Sequence, residues 1–220
     1  MNLVNCSCCR TASACSLALI NTNRRDLLRN IRVFAFRQNQ SIYQQGFPAD
    51  GVFFVSHGSV RLTAVTESGH ARILDLVSCG ELFGLDALMP ERIRYQSAEA
   101  REASQTAFLR ASDFRAIVLA SPDLQWRMMI MLIEMLHRGN LAKLAISGDR
   151  VRERLQNLLA DLSCRMRQLK AETKPGFARL KQRELAGVLG IPEETVSREL
   201  RLLDEDLKAE LLQSRSKRCG

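Results

Sequence analysis

Several absences narrow what this chain can do. No apolar run approaches the roughly 18 residues that a membrane-spanning helix needs. The SLALI patch near the N-terminus, preceded only by Arg10, is too short for a secretory core. Both absences point to a cytoplasmic protein with no membrane partner. The chain has only 3 histidines in 220 residues. It shows no histidine–carboxylate constellation, so nothing supports a metal-dependent or redox enzyme and the chain reads as a non-enzyme. No G-x-G-x-x-G opens a helix, which leaves nucleotide phosphates without that cradle. Acidic residues are in deficit, 24 Asp and Glu against 32 Lys and Arg, giving a net charge of +8 and a pI near 9.5. Such a balance favours polyanions, nucleic acid ahead of anionic membrane. Much of the excess lies in the C-terminal third of the chain. With 46% hydrophobic and 25% charged residues, the chain should fold as one large globular domain or two modest ones.

What is present begins with cysteine. Of 7 in the chain, Cys6, Cys8, Cys9 and Cys15 crowd the leader, expected to span 1–21. In a reducing compartment clustered thiols point to metal or redox chemistry before structural disulfides. Cys6, Cys9 and Cys15 form C-x2-C-x5-C, a spacing that can wrap three thiolates around an iron–sulfur cluster, which usually takes four. Zinc, or a leader with no ligand at all, fits the same spacing. Cys164 reads as core and Cys219 as a tail thiol.

A short polar helix from Thr22 and an alternating VFAF come next. From Gln38 to Ala111 the texture is β: short β-branched and aromatic runs punctuated by Gly46, Gly51, Gly58, Gly69, Gly80 and Gly84, the spacing of an antiparallel barrel or jelly roll. This sensor-like domain is expected to span 22–120. Ser121-Pro122 then opens a helix predicted over 121–147, with Trp126, Met129, Ile133, Leu136, Asn140 and Leu144 near heptad spacing. It is too long for one small barrel to bury, so a second copy of the chain is the natural partner. Met128, Met129, Met131 and Met135 read as adaptable core, and His137 as a surface or interface residue.

The remaining 148–220 start with an amphipathic helix, VRERLQNLLADLSCRMRQL. The stretch KQRELAGVLGIPEETVSRELRLL, Lys181 to Leu203, then predicts two short helices around a tight turn. Leu185, Val188 and Leu189 line the first helix. Gly190 ends it as a left-handed glycine does, and Pro192 suits the first turn of the second. Val196, Leu200 and Leu203 form an apolar stripe, leaving Glu193, Glu194, Ser197, Arg198 and Arg201 off it. A helix-turn-helix would lay such a second helix in the major groove; an ordinary helical hairpin has the same pattern.

The order of β-roll, long helix and helix-turn-helix resembles the Crp/Fnr superfamily of bacterial transcription regulators, over about Cys6 to Leu203. It looks most like the oxygen-sensing fumarate and nitrate reduction branch, through the leader's C-x2-C-x5-C, the segment SCGELFGLDALMP, and EETVSREL, which is similar to an E-x-x-S-R reading helix. The resemblance implies an α+β protein: an N-terminal antiparallel, cyclic-nucleotide-binding-like β-roll, a long dimerisation helix and a C-terminal helix-turn-helix. It further implies a homodimer on near-palindromic double-stranded DNA with TTGAT half-sites that recruits or blocks RNA polymerase. Glu194, Ser197 and Arg198 would read bases, while Lys181 and Arg201 meet phosphate. Arginine suits guanine O6 and N7, and glutamate suits cytosine N4; phosphate contacts give affinity and register.

Two departures stand beside this. Where the branch carries its fourth cluster ligand, this chain has Ala107; Cys79 is the preferred substitute in a 4Fe-4S ligand set of Cys6, Cys9, Cys15 and Cys79. A regulator with no cluster, switched by thiol oxidation or a small effector or constitutive, is the alternative. The two strands that normally follow the reading helix are not evident in DEDLKAELLQSRSKRCG, so the wing is read as truncated. The cyclic-AMP branch holds its ligand with a glutamate and an adjacent Arg-Ser; the matching residues here are Leu85, Tyr95 and Gln96. A buried phosphate would be left unpaired, so no cyclic nucleotide is expected.

Overall fold

The computed structural model describes residues 30–67, 69, 71–148, 151–168 and 180–203. The leader with Cys6, Cys8, Cys9 and Cys15, the polar helix from Thr22, and the segment after Leu203 on which the truncated wing was expected lie outside the described residues.

Among the described residues, eight short strands form two antiparallel four-stranded sheets. The first has the order β1 (Arg32–Phe36), β8 (Ser104–Arg110), β3 (Gly51–His57), β6 (Leu82–Phe83). The second runs β2 (Ser41–Tyr43), β7 (Ser97–Ala100), β4 (Ser59–Val65), β5 (Ala71–Ser78). The punctuating glycines set the turns: Gly46, Gly58, Gly69, Gly80 and Gly84 all have positive φ. At Gly58 the constraint is double. Its φ is +78°, and a Cβ there would lie 2.7 Å from the Ala103 carbonyl oxygen. Gly51 corrects the expectation, because it opens β3 instead of a turn. Its hydrogen side faces β8, where a Cβ would run into the Leu109 carbonyl and the Phe108 ring.

β3 is buried for six of its seven residues, since both faces of its sheet are covered. Phe53 and Val55 join Val60, Leu62, Val77, Phe83 and Ala98 between the sheets. Val52 and Phe54 face the other way, packing with Leu82, Ala107 and Leu109 against helices α1 (Ala111–Leu119) and α2 (Pro122–Gly148) through Phe114, Ile117 and Leu124. Stacked Phe53 and Phe83 rings, 5.2 Å apart, help fill the space between the sheets. The edge strand β1 departs from the alternation read in its sequence: Val33 and Phe34 are equally exposed.

α2 bends away after Ser121, whose hydroxyl accepts the Leu124 amide at 3.3 Å and caps its start. It runs unbroken through Gly139. The methionines divide between two roles. Met128 and Met131 pack against the β-roll core, while Met129 and Met135 lie on the exposed side with Trp126, Leu132, Ile133 and Leu136. Among the described residues no single helix is long and apolar enough to cross a membrane. α3 (Val151–Gln168), α4 (Gln182–Leu189) and α5 (193–203) follow among the described residues. Leu155, Leu162, Leu185, Ala186, Leu189, Val196 and Leu203 share one core there, and Leu76 of β5 enters it from the β-roll.

Candidate nucleic-acid interface and sensor loop

The Lys181–Leu203 stretch folds as two helices around a tight turn. α4 ends at Gly190, with φ 66° and ψ 35°. The Ile191 amide reaches back to the Ala186 carbonyl at 3.1 Å, and the Arg154 guanidinium of α3 donates to the Leu189 carbonyl. The last carbonyls of α4 thereby find partners. Pro192 stands just before α5, one residue earlier than expected. Its carbonyl accepts the Val196 amide at 3.3 Å and so starts the helix.

α5 has the two faces that its sequence predicts. Val196 and Leu203 are buried and Leu200 partly so. Glu194, Arg198 and Arg201 are exposed and Ser197 is half-buried. The Arg198 side chain is 69% exposed, with Nε 3.6 Å from Glu199, so its guanidinium is available to a ligand from solvent. Lys181, exposed, sits at the start of α4. One continuous segment thus carries three residues of a chemistry suited to base edges, Glu194, Ser197 and Arg198, and two cations suited to phosphate, Lys181 and Arg201.

At the start of α4 the fold uses Glu184 twice. Its Oε2 accepts the Lys181 amide at 2.9 Å, a reciprocal cap for the first turn. Its Oε1 accepts Arg101 Nε at 2.7 Å, from the turn between β7 and β8. Burial alone would raise the Glu184 carboxyl. The hydrogen bonds from Arg101 and the Lys181 amide, with the charges of Arg101 and Arg61, outweigh it and hold the group below the usual carboxylate range.

The loop between β6 and β7 contains a second buried pair that the sequence reading missed. Gly84, with φ 76°, leads into a 3-10 turn over Leu85–Leu88 that places Asp86 inward. Arg94 returns from the far side of the loop. Its Nη1 lies 2.5 Å from Asp86 Oδ1 and 3.0 Å from the Gly84 carbonyl, and its Nη2 is 2.7 Å from the Gly51 carbonyl. The guanidinium lies 4.2 Å from the centre of the Tyr43 ring. Burial raises the Tyr43 phenol and the Asp86 charge adds to this; Arg94 and Gln96 offset only part. Leu85 packs against the core, and Tyr95 is half-exposed. The loop therefore does contain a cation, adjacent in sequence to the matched Tyr95-Gln96, but its two terminal nitrogens are bound to protein acceptors.

Cys79 follows β5, half-buried, and packs against both β-roll core clusters, one of which contains Ala107. Its Sγ donates to the Ser56 carbonyl at 3.1 Å. The structure does not bring it together with Cys6, Cys9 and Cys15, which lie outside the described residues; among the described residues no group of three potential metal ligands occurs.

Comparison with known proteins follows the same division. Residues 33–121 match the cyclic nucleotide-binding domain family. A cyclic AMP receptor protein of Thermus thermophilus is 30% identical over 171 residues, 78% of this chain and 76% of that protein. The transcriptional activator protein Anr of Pseudomonas protegens is 25% identical over 199 residues, covering 90% and 81%. Among solved structures FixK2 of Bradyrhizobium japonicum superposes with a TM-score of 0.68 at 22% identity, covering 80% of this chain and 85% of that one. The last is a likeness of fold.

Proposed function

Because the chain belongs to the Crp/Fnr family of transcription regulators, we propose that it binds near-palindromic double-stranded DNA as a homodimer and acts on transcription by recruiting or blocking RNA polymerase. The observation that carries this reading is α5, whose buried Val196 and Leu203 fix the helix while Glu194 and Arg198 stand in solvent. Arg198 donates two hydrogen bonds to a guanine, Glu194 accepts one from a cytosine, and Ser197 reaches a neighbouring base. Lys181 and Arg201 contact phosphate and set register. The exposed row of Trp126, Met129, Ile133 and Leu136 on α2 has the heptad spacing by which two such helices pair.

Fluorescence anisotropy with a duplex carrying two inverted TTGAT half-sites tests the reading. Tight, salt-sensitive binding that a scrambled duplex does not share is expected, and Arg198→Ala should lose ~1–3 kcal/mol of it. Equal affinity for both duplexes would refute base reading by α5.

We further assign the switch to a 4Fe-4S cluster held by Cys6, Cys9 and Cys15, which match the oxygen-sensing branch that the motifs resemble, with Cys79 substituting for the branch's fourth ligand. Four soft thiolates suit such a cluster, which would supply lability to oxygen. Cys79 must surrender its proton and its bond to Ser56 to serve. That bond and its core packing favour the second reading, a regulator without a cluster, switched by thiol oxidation or a small effector or constitutive. Iron and sulfide analysis of anaerobically purified wild type and Cys79→Ser separates them: a wild type free of iron refutes the cluster, and unchanged iron in the variant removes Cys79 from it. Cyclic nucleotide is not the effector in our reading, since Leu85, Tyr95 and Gln96 offer no phosphate cation and Arg94 is already occupied; heat on titration with cyclic AMP would overturn this.

A further inference from the structure

The β-roll and the helix-turn-helix are joined by a buried ion pair 83 residues apart in sequence. Arg101 Nε lies 2.7 Å from Glu184 Oε1, with the two side chains 7% and 5% exposed. Each end is built into its own domain. Arg101 is braced where β4 begins: its amide donates to the Ser59 carbonyl at 3.0 Å, and its Nη1 lies 3.4 Å from the Ser59 hydroxyl. Glu184 is braced by its cap on α4, through the Lys181 amide at 2.9 Å. Beside the pair, α4 covers the edge strand β5. Leu76 is part of the helix-turn-helix core. Ile73 seats on Gly187, where a Cβ would lie 2.7 Å from its Cδ1. Arg72 crosses close over Gly190, which has no side chain to obstruct it.

Parting the domains would break the ion pair between two buried side chains and expose Leu76 and Ile73. Meanwhile Glu194, Arg198 and Arg201 stay exposed in the docked arrangement; docking does not cover the reading face. We propose that the Arg101–Glu184 pair is a positioning contact by which the β-roll sets the direction of α5, holding the reading head where a dimer needs it. This rests on the DNA-binding reading above. A head that swings on its tether gives a lower effective concentration at the second half-site than one held in place.

The test uses the full-length protein, wild type and Arg101→Gln, on duplexes with one or two half-sites. In Arg101→Gln, two-site affinity should fall about tenfold while one-site affinity stays within about twofold, and amide exchange should rise in β5 and α4 but not in β3 and β8. Arg101→Lys should recover part of the loss. Ile73→Ser, which loosens the same junction without touching a charge, should lower the same ratio and serves if Arg101→Gln does not fold. An unchanged or increased two-site to one-site ratio, or unchanged exchange in β5 and α4, overturns the proposal. A wild type that binds neither duplex instead refutes DNA binding, and the junction is then judged by exchange alone.

Discussion

Replacing Arg94 by Met should strip the loop between β6 and β7 of more stability than any surface substitution. The parent side chain is 3% exposed and its partner Asp86 is 7% exposed. Met keeps much of the volume and none of the donors. The Asp86 carboxylate is left buried with the Tyr95 amide at 3.2 Å, and the Gly84 and Gly51 carbonyls lose the bonds that Arg94 gave them. Breaking a buried pair by removing one member costs about 3–5 kcal/mol. The lost cation–π contact with Tyr43 pushes toward the upper end; Met packing against the same ring offsets some of this. A net loss of about 4 kcal/mol follows, a large share of the ~5–15 kcal/mol that holds an ordinary domain together. Adding Asp86→Ala removes the stranded charge, so the double variant should be more stable than Arg94→Met alone. Urea titrations followed by far-ultraviolet circular dichroism measure all four corners of this cycle. A loss below about 1 kcal/mol for Arg94→Met, or costs that simply add in the double variant, would mean that the pair is not the buried unit described.

Other perturbations test separate parts of the molecule. Gly51→Ala should cost about 3 kcal/mol, because the added methyl meets the Leu109 backbone carbonyl and the Phe108 ring, which cannot both yield; thermal melting reads this. Gly187→Ala meets only the flexible end of Ile73 and should cost well under half as much by the same assay. The docking of α4 should weaken in acid. Glu184 faces Arg101, Arg61 and the Lys181 amide, and its carboxyl lies below its ordinary value of 4.5. Its contribution is therefore complete above that value and is lost as pH falls through the lower folded one. Melting temperature against pH should lose this acid limb in Glu184→Gln, and an unaltered limb would contradict it. In DNA titrations across salt concentrations, Lys181→Ala should weaken binding to all sequences and reduce the salt slope by about one. Arg198→Ala should instead relax discrimination at one base pair.

How much of this was legible in the sequence depended on whether the signal was local. The helix-turn-helix was readable because each of its parts is decided within a few residues. Gly190 is the residue that tolerates a φ of 66°, and Val196 and Leu203 share a face through helical spacing alone. The turns at Gly46, Gly58, Gly69, Gly80 and Gly84 were readable for the same reason. Gly51 was not, since what demands glycine there is the approach of β8, more than fifty residues away. β1 misled because alternation implies a covered face, and an edge strand has less to cover it.

The two buried ion pairs mark the other limit. Arg94 and Asp86 are eight residues apart in DALMPERIRY, and the positions where the resemblance implies a phosphate cation are the neighbouring Tyr95 and Gln96, immediately past the arginine. An inward arginine leaves one trace in sequence: a loop acid, entered through a glycine, with a cation returning toward the next strand. Arg101 and Glu184 leave less still. Glu184 is fully accounted for by its capping role, so nothing in its neighbourhood asks for another partner, and Arg101 looks like any turn cation. Only the packing of β5 on α4 shows that one carboxylate serves both a helix start and a domain junction. A residue already explained by a local rule is therefore the place where a long-range role is easiest to miss. That is why the decisive comparison at this junction is between Arg101→Gln, which leaves the cap intact, and Glu184→Gln, which alters both. If the two variants melt and bind alike, the cap contributes little and the domain contact dominates.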